Sequence, residues 1–409
     1  MKGFFSKLMS LDDALKKLDY HQKVMDIEEI DIKSAHNRVL AENIKSFHNS
    51  PPFDKSAMDG YAVIAEDTFG ASNNNHKHLK IIDAIGAGDF SEKKIESGEA
   101  IRIATGAPIP NGANAVIMEE YTSHYNNDLE VHSQVSPKDN VSPIGEDLKL
   151  GDKVLSSNTF IRPQEMGLIS SAGFNKIKVY KKPKVKLIIT GNELVEPSPK
   201  LDKAKIINSN QYTIASLIES AGAVVEVDYA RDDFEEVKSS IIENSKNFDV
   251  IITTGGTAIS KGDVVVDAVE ESGELLFHGV SIRPGKPVGC GLVNDTVVFT
   301  LSGQPVAAMA QFDIFARGYL VKMQGLDYNY KIVKRESVMK IPSNLGRTDF
   351  IRTYADETCA RHILNRGSGI IRSMVEANSY IIIDENNEGI EKGDFVDLVF
   401  FDSMIWNKY

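Results

Sequence analysis

The chain has 409 residues, more than one hydrophobic core can serve, so two to four domains are expected. Its 42% hydrophobic and 25% charged residues are ordinary for a folded protein and exclude wholesale disorder. With 46 basic against 58 acidic residues the net charge is -12, and no dense Lys/Arg cluster stands out, which argues against a nucleic-acid partner.

The start, MKGFFSKLMSLDDALKKL, lacks the continuous apolar core of an export signal. Apolar residues at helical spacing instead predict an amphipathic helix over residues 11 to 30. The proline-rich SPPFD then marks a boundary near residue 46. From 46 to 149, short apolar stretches (YAVIA, LKIIDAI, AIRIATG, AVIMEEY, LEVH) separated by Gly, Asn and Pro predict a β-rich, barrel-like domain. Within it SNNNHKH reads as a loop whose His76 and His78 face solvent rather than a metal. A helix is predicted to begin at Pro163, since proline suits a helix's first turn. Residues 150 to 180 are expected to join residues 1 to 45 in a discontinuous linker domain. From 181 to 325, strands and helices alternate: KVKLIIT, a helix at 210 to 221, AVVEVDY, a helix at 233 to 245, FDVIITTGG, a helix at 263 to 272, VVFTL, and a helix from 305. That order predicts a doubly wound α/β domain with a largely parallel sheet. Residues 326 to 409, with KIVKRESVMKI, DFIRTYA, SYIIID and DFVDLVFF, predict a small C-terminal β domain.

No apolar run approaches the roughly 20 residues that span a bilayer. Cys290 and Cys359 stand far apart without a CxxC spacing, so neither a disulfide framework nor a thiolate zinc site is expected. A cytoplasmic setting fits these features.

In an open α/β sheet, ligands bind beyond the carboxyl ends of the strands, where loop amides and helix N-termini converge. The turns there are TGNELVE, RDD at 231 to 233, TTGGTAISKGD at 253 to 263, and LSGQP at 301 to 305, with RPGKP at 283 to 287 beside them. Gly255 and Gly256 let a backbone approach an anion closely. The turn Ser302, Gly303, Gln304, Pro305 has the same logic, and Arg283 and Lys286 add cations. The combination points to a phosphate-bearing ligand. Glu193, Asp232, Asp233 and Asp263 lie in the same turns. Carboxylates beside phosphate repel it unless a hard cation intervenes, which predicts Mg²⁺ held by Glu193, Asp232 and Asp263. Asp232 and Asp263 each precede a helix, so capping is the alternative role. HExxH, Walker and Ser-His-Asp patterns are missing, which leaves positioning and metal-assisted electrostatics as the mode of catalysis.

Ten segments in order complete the picture: PPFDKSAMDGYAV, GEAIRIATGAPIPNGANAVIMEEY, IGEDLKLGDKVL, RPQEMGLISSAG, KLIITGNELVEP, TTGGT with KGD, GVSIRPGKP, LSGQPVAA, GRTDFIR and GSGIIRSMVEAN. Together they resemble the molybdopterin molybdenumtransferase (molybdenum insertase) family, to which the gephyrin E domain belongs, over nearly the whole chain. The resemblance implies a homodimer whose active site forms where the α/β domain faces the MDGYA-bearing domain of the other subunit. It implies insertion of molybdate or tungstate into adenylylated molybdopterin with release of AMP, supported by Mg²⁺. A molybdopterin adenylyltransferase is the implied partner enzyme. By motif position it implies site roles for Asp59, Asp147, Glu193, Asp232 or Asp233, and Asp263. Thr105, Thr257 and Lys261 are expected at the ligand, and Arg283 and Lys286 would stabilise molybdate and phosphate charge. The family's usual LPGNP reads LSGQP here, which puts the contacts of Ser302 and Gln304 in question. Two other functions fit parts of the pattern: molybdopterin adenylyltransferase, on the same α/β fold, and a catalytically inactive scaffold.

Overall fold

A computed structural model describes residues 8–256, 263–329, 331–364 and 367–401. The chain divides into two compact units. The larger comprises Met1–Glu28, Asn37–Ala41 and Val179–Tyr409, and the smaller comprises Glu29–His36 and Glu42–Lys178.

In the smaller unit a six-stranded sheet runs in the order Ala115–Met118, Gly60–Val63, Glu99–Ile103, Lys77–Ile85, Asp128–Val131, Thr122–Tyr125. All neighbours are antiparallel except Lys77–Ile85 and Glu99–Ile103, which run parallel. This is the barrel-like domain that the short apolar stretches predict. Its central strand, GYAV, is buried on both faces. Tyr61 and Val63 enter one core with Leu79 and Leu129, while Ala62 enters another with Ile101 and Val116. Gly60 has no room for a side chain, since a Cβ there would sit 1.9 Å from the Ile117 carbonyl oxygen. The strand can therefore start where it does only with glycine, and Asp59 is fixed at its mouth.

The larger unit opens with the helix Leu11–Tyr20, capped by the Ser10 hydroxyl accepting from the Asp13 N–H (3.2 Å), with Ala14 and Leu18 buried. It is shorter than the predicted 11 to 30. The N–H of His21 bonds back to Leu18 and the chain leaves helical geometry, after which Ile27–Asp31, with period-two burial, forms a strand.

The α/β domain follows the predicted alternation and adds two unpredicted strands, β4 and β5: β1 (Lys184–Thr190), α1 (Asn210–Ser220), β2 (Val224–Ala230), α2 (Phe234–Asn244), β3 (Val250–Thr254), α3 (Val264–Ser272), β4 (Glu274–His278), β5 (Gly289–Val293), β6 (Thr296–Leu301) and α4 (Pro305–Gln311). The sheet order is β2-β1-β3-β6-β5-β4. The first four strands are parallel, and β5 and β4 complete the edge antiparallel. Helices cover both faces, so the second half of β1, from Leu187 to Ile189, is apolar and buried on both. Leu187 and Ile189 pack with Ile214 and Ile218 of α1, and Ile188 packs with Val237 and Ile241 of α2.

The C-terminal domain closes five strands into a ring: β7 (Val333–Ser337), β8 (Thr348–Ala355), β9 (Cys359–His362), β10 (Ser379–Ile383) and β11 (Phe395–Phe400), with β8 pairing both β9 and β10. The two-residue strand Ile282–Arg283 adds to β8 in parallel. Among the described residues, no helix is long and apolar enough to cross a membrane. Cys290 is buried and Cys359 half-buried, and both are free thiols.

Candidate active site

At the carboxyl ends of β1, β3 and β6 lies a cavity of about 900 Å³. Its walls are the turns Thr190–Gly191, Thr254–Gly256 and Ser302–Pro305, the segment from Ile206 to Asn210, and Gly285 and Pro287. Ser368, Gly369 and Ile371 of the C-terminal domain close one side. Glu193 and Asp232 stand in the lining with exposed side chains.

The two glycine-bearing turns meet without intervening side chains. Gly255 and Gly256 adopt φ of 99° and 64°, and a Cβ on Gly255 would come within 2.2 Å of the Thr190 carbonyl oxygen. A Cβ on Gly303 would have Gly255 Cα as its nearest neighbour, at 3.4 Å. The Gly255 N–H is engaged by the Leu301 carbonyl (3.2 Å), so this turn is tied to β6 rather than offering that amide to an anion. Thr257 and Lys261 lie outside the described residues.

In the LSGQP turn, the Ser302 hydroxyl accepts from the Gln304 N–H (3.2 Å), and the Gly303 carbonyl accepts from Asn210 Nδ2 (2.9 Å). Gln304 Oε1 accepts from the Ser368 hydroxyl, and the Val306 N–H donates to the Ser368 carbonyl (3.0 Å). Pro305 opens α4. Thus the two unusual side chains of this turn have defined partners: one braces the turn and the other ties it to the C-terminal domain.

The four acidic candidates part company. Asp233 is the N-cap of α2, accepting from the Glu236 N–H (3.0 Å), whereas Asp232 accepts from the Asn192 N–H (3.3 Å) and lines the cavity. Asp263 caps α3 through the Val266 N–H (3.0 Å). It is buried, lies 3.4 Å from His278 Nε2, and is not among the residues lining the cavity. Among the described residues, Glu193 and Asp232 are therefore the acidic candidates that line the cavity.

Arg283 and Lys286 do not join the cavity lining. Asp349 on β8 is fully buried and needs counter-charge. Arg283, on the neighbouring two-residue strand, supplies it at 2.7 Å, and Arg347 stands at 2.9 Å on the other carboxylate oxygen. Arg283 thus lines a separate cavity of about 130 Å³ with Phe350, Arg352 and His362. Lys286 is exposed between Gly285 and Pro287, which do line the large cavity.

Two further groups carry no sequence signal. Gln311, fully buried in the apolar run AAMAQFDIF, accepts from the Ser302 N–H (2.7 Å) and donates to the Gly285 carbonyl (2.6 Å). One carboxamide therefore holds two walls of the cavity. Glu196 accepts from the hydroxyls of Tyr229 (2.6 Å) and Tyr212 (2.8 Å) and from Gln211 Nε2 (3.2 Å). These donors hold its carboxyl below the usual range, Tyr229 contributing most. Burial, then the bond to Glu196, pushes the Tyr229 phenol up to about 12.

In the smaller unit, Asp59 Oδ1 accepts from the N–H (2.7 Å) and hydroxyl (3.0 Å) of Thr105. Both bonds hold the Asp59 carboxyl below its ordinary value, the backbone bond more than the hydroxyl. Asp59 lines a cavity of about 350 Å³ with Arg102 and Glu119, themselves ion-paired at 2.9 Å. Thr105 faces another, of about 410 Å³, with Lys55, Ser142 and Glu146. Asp147 is exposed, with its N–H on the Ser50 carbonyl (2.9 Å), and lines neither.

Three family models match in chain order: the MoeA N-terminal region (domain I and II) over residues 9–173, the Probable molybdopterin binding domain over 186–322, and the MoeA C-terminal region (domain IV) over 336–401. A protein of Methanocaldococcus jannaschii named for molybdopterin biosynthesis is 41% identical over 407 residues, covering 97% of this chain and 96% of that protein. The molybdopterin molybdenumtransferase of Staphylococcus aureus is 32% identical over 398 residues, covering 96% and 95% respectively. Among solved structures, the molybdopterin biosynthesis MoeA protein of Pyrococcus horikoshii superposes with a TM-score of 0.83 at 35% identity, covering 97% of this chain and all of that one.

Proposed function

The chain belongs to the MoeA family of molybdopterin molybdenumtransferases, transferases of molybdenum cofactor biosynthesis, and from that premise we propose that it inserts molybdate or tungstate into adenylylated molybdopterin and releases AMP. The observation that carries this reading is the cavity at the strand ends, walled by two abutting glycine turns and edged by Glu193 and Asp232. Its volume suits a ligand of pterin and nucleotide size. The glycines leave the lining open to close approach by phosphate, while Asn208, Ser209 and Asn210 in the same lining supply polar partners for a heterocycle or sugar. Gln311 keeps two of the walls in register, so positioning is built into the cavity before any ligand arrives.

Two carboxylates beside a polyphosphate destabilise it unless a hard cation is present. The oxygen-only pair Glu193 and Asp232 suits Mg²⁺, which when bound would neutralise phosphate charge during anhydride cleavage. Lys286, exposed beside the cavity, is assigned to oxyanion charge on entry.

In this reading the protein is a homodimer, and the Asp59 carboxylate, held ionised by Thr105, completes the cavity of a second copy. Mixing Asp59→Asn with Asp232→Asn protein tests this directly. Each variant alone should be inactive, and mixed dimers should regain one intact site. Failure to regain activity despite subunit exchange would remove Asp59 from the shared site.

The activity is tested by supplying adenylylated molybdopterin, Mg²⁺ and either oxyanion, and measuring AMP release and metal content together. Adenylate formation from molybdopterin and Mg-ATP would instead identify an adenylyltransferase. Binding of the adenylylated substrate without AMP release would leave a scaffold. A molybdopterin adenylyltransferase is the proposed supplier of the substrate.

A further inference from the structure

We propose that the smaller unit carries a transition-metal site of the zinc class, formed by His76, Glu130 and His132. Among the described residues, these three offer one ligand atom each within 4.8 Å of one another. His76 lies in the polar segment SNNNHKH, and the sheet is what assembles the site. Strand Lys77–Ile85 pairs antiparallel with Asp128–Val131, with Lys77 opposite Val131 and His78 opposite Glu130. Continuing that register by one residue sets His76 opposite His132. Residues two apart on a strand share a face, so Glu130 and His132 project together. The His76 and His132 rings lie 4.3 Å apart between centroids.

The hydrogen bonds are compatible with tautomers that leave a lone pair on each imidazole. His76 Nε2 is 3.1 Å from the Asn73 carbonyl oxygen, which can only accept, so Nε2 is the donor. In neutral imidazole this leaves a lone pair on Nδ1, which faces Glu130 Oε2 at 3.7 Å. A cation between these two electron-rich atoms would be held by both. The Ser123 hydroxyl stands 3.3 Å from Glu130 Oε2 and 2.7 Å from His132 Nε2. With that hydroxyl donating its hydrogen bond to the carboxylate and accepting one from His132 Nε2, His132 Nδ1 is left as the third lone pair. Each ligand thus has an outer partner orienting it, as metal-binding imidazoles and carboxylates typically do.

Two imidazoles and one carboxylate form a mixed nitrogen and oxygen set that favours Zn²⁺ over the hard cations Mg²⁺ and Ca²⁺. Tetrahedral coordination at about 2.1 Å places ligand atoms about 3.4 Å apart, close to the separation already present between His76 and Glu130. Side-chain rotation closes the rest. Three protein ligands leave the fourth position to water, and the ion would clip the turn before Lys77 to the end of Asp128–Val131.

The test uses the full-length protein, stripped with a chelator and titrated with Zn²⁺ by calorimetry, with Co²⁺ absorption as the coordination probe. One Zn²⁺ per chain is expected at this site. His76→Ala and His132→Ala should each weaken binding by at least about 100-fold, and Ser123→Ala by about 10- to 100-fold. Asp232→Asn should leave Zn²⁺ affinity unchanged. His76 is exposed, so His76→Ala should fold, and the near-isosteric Glu130→Gln gives a second reading should His132→Ala not fold. Equal Zn²⁺ affinity in wild type, His76→Ala and Glu130→Gln would overturn the proposal, as would loss of binding only on Asp232→Asn.

Discussion

Gln311→Leu is the sharpest probe of how the cavity is held. The leucine keeps most of the volume but removes both bonds of the carboxamide, leaving the Ser302 N–H and the Gly285 carbonyl without their partner. An unsatisfied buried polar group costs about 1 to 3 kcal/mol. Gly285 lines the cavity and can turn its carbonyl toward water, which discounts its share. A loss of about 2 to 4 kcal/mol follows, a large part of a typical folding stability of about 5 to 15 kcal/mol. Urea unfolding of wild type and variant at unchanged m-value measures it. Because the bonds join the RPGKP and LSGQP segments, KM for the proposed substrate should also rise. A stability change below ~0.5 kcal/mol, the level of an ordinary surface substitution, would refute the idea that one side chain couples these walls.

Gln311→Glu refines the same test through pH. A protonated carboxyl can accept from the Ser302 N–H and donate to the Gly285 carbonyl, copying the carboxamide. An ionised one faces that carbonyl with a second acceptor and is buried without counter-charge, which raises its folded pKa. The sign follows: relative to wild type, the variant should be least impaired below the ordinary Glu value near 4.3 and lose stability as pH rises through the raised folded value. A deficit independent of pH would point to packing rather than hydrogen bonding.

Asp232 and Asp233 should separate cleanly. Asp233→Ala removes a helix cap and should cost about 1 kcal/mol with activity retained, whereas Asp232→Asn should leave the unfolding midpoint in place and abolish the proposed turnover. Thr105→Val removes the hydroxyl bond to Asp59 and keeps the stronger backbone bond, so the Asp59 carboxyl should move up toward its ordinary 3.8 without reaching it. A depressed carboxyl stays charged until pH falls through its folded value, so an acid limb of turnover that depends on it shifts to higher pH; carboxyl NMR titration reads the shift itself. The phenolate absorbance of Tyr229, isolated by subtracting Tyr229→Phe, should titrate near 12 and fall toward the ordinary 10 in Glu196→Gln. The linked stability is complete below the ordinary value and is lost as pH rises toward 12.

Much of the architecture was legible because it follows from period and punctuation. The alternation from Lys184 to Pro305 produces the doubly wound sheet, and the glycines at 255, 256 and 303 mark the turns that line the cavity. What sequence left open depends on pairing across distance. Adjacent Asp232 and Asp233 are equivalent on paper, and only the phase of α2 decides which one caps it. Arg283 stands three residues from Lys286 in sequence, yet strand addition to β8 delivers it to buried Asp349. His76 has no partner until the antiparallel register brings His132 beside it. The overextended first helix has a local cause, since Ile27–Asp31 satisfies both a sparse helical pattern and a strand's alternation.

The altered LSGQP turn shows why a motif departure need not mean a lost site. A proline at 302, as the resemblance implies, would stiffen the turn through a fixed φ; here Ser302 achieves restraint by accepting the Gln304 N–H and giving its own N–H to Gln311. Gln304, longer than an asparagine, reaches the Ser368 hydroxyl, next to Gly369 in the cavity wall. The restraint has moved from covalent geometry to hydrogen bonds with residues that are themselves buried or in the lining. Such a turn depends on its neighbours in a way that a proline does not. Substituting Gln311 or Ser368 should therefore disturb the cavity, and introducing Ser302→Pro with Gln304→Asn should make the Gln311→Leu variant less costly.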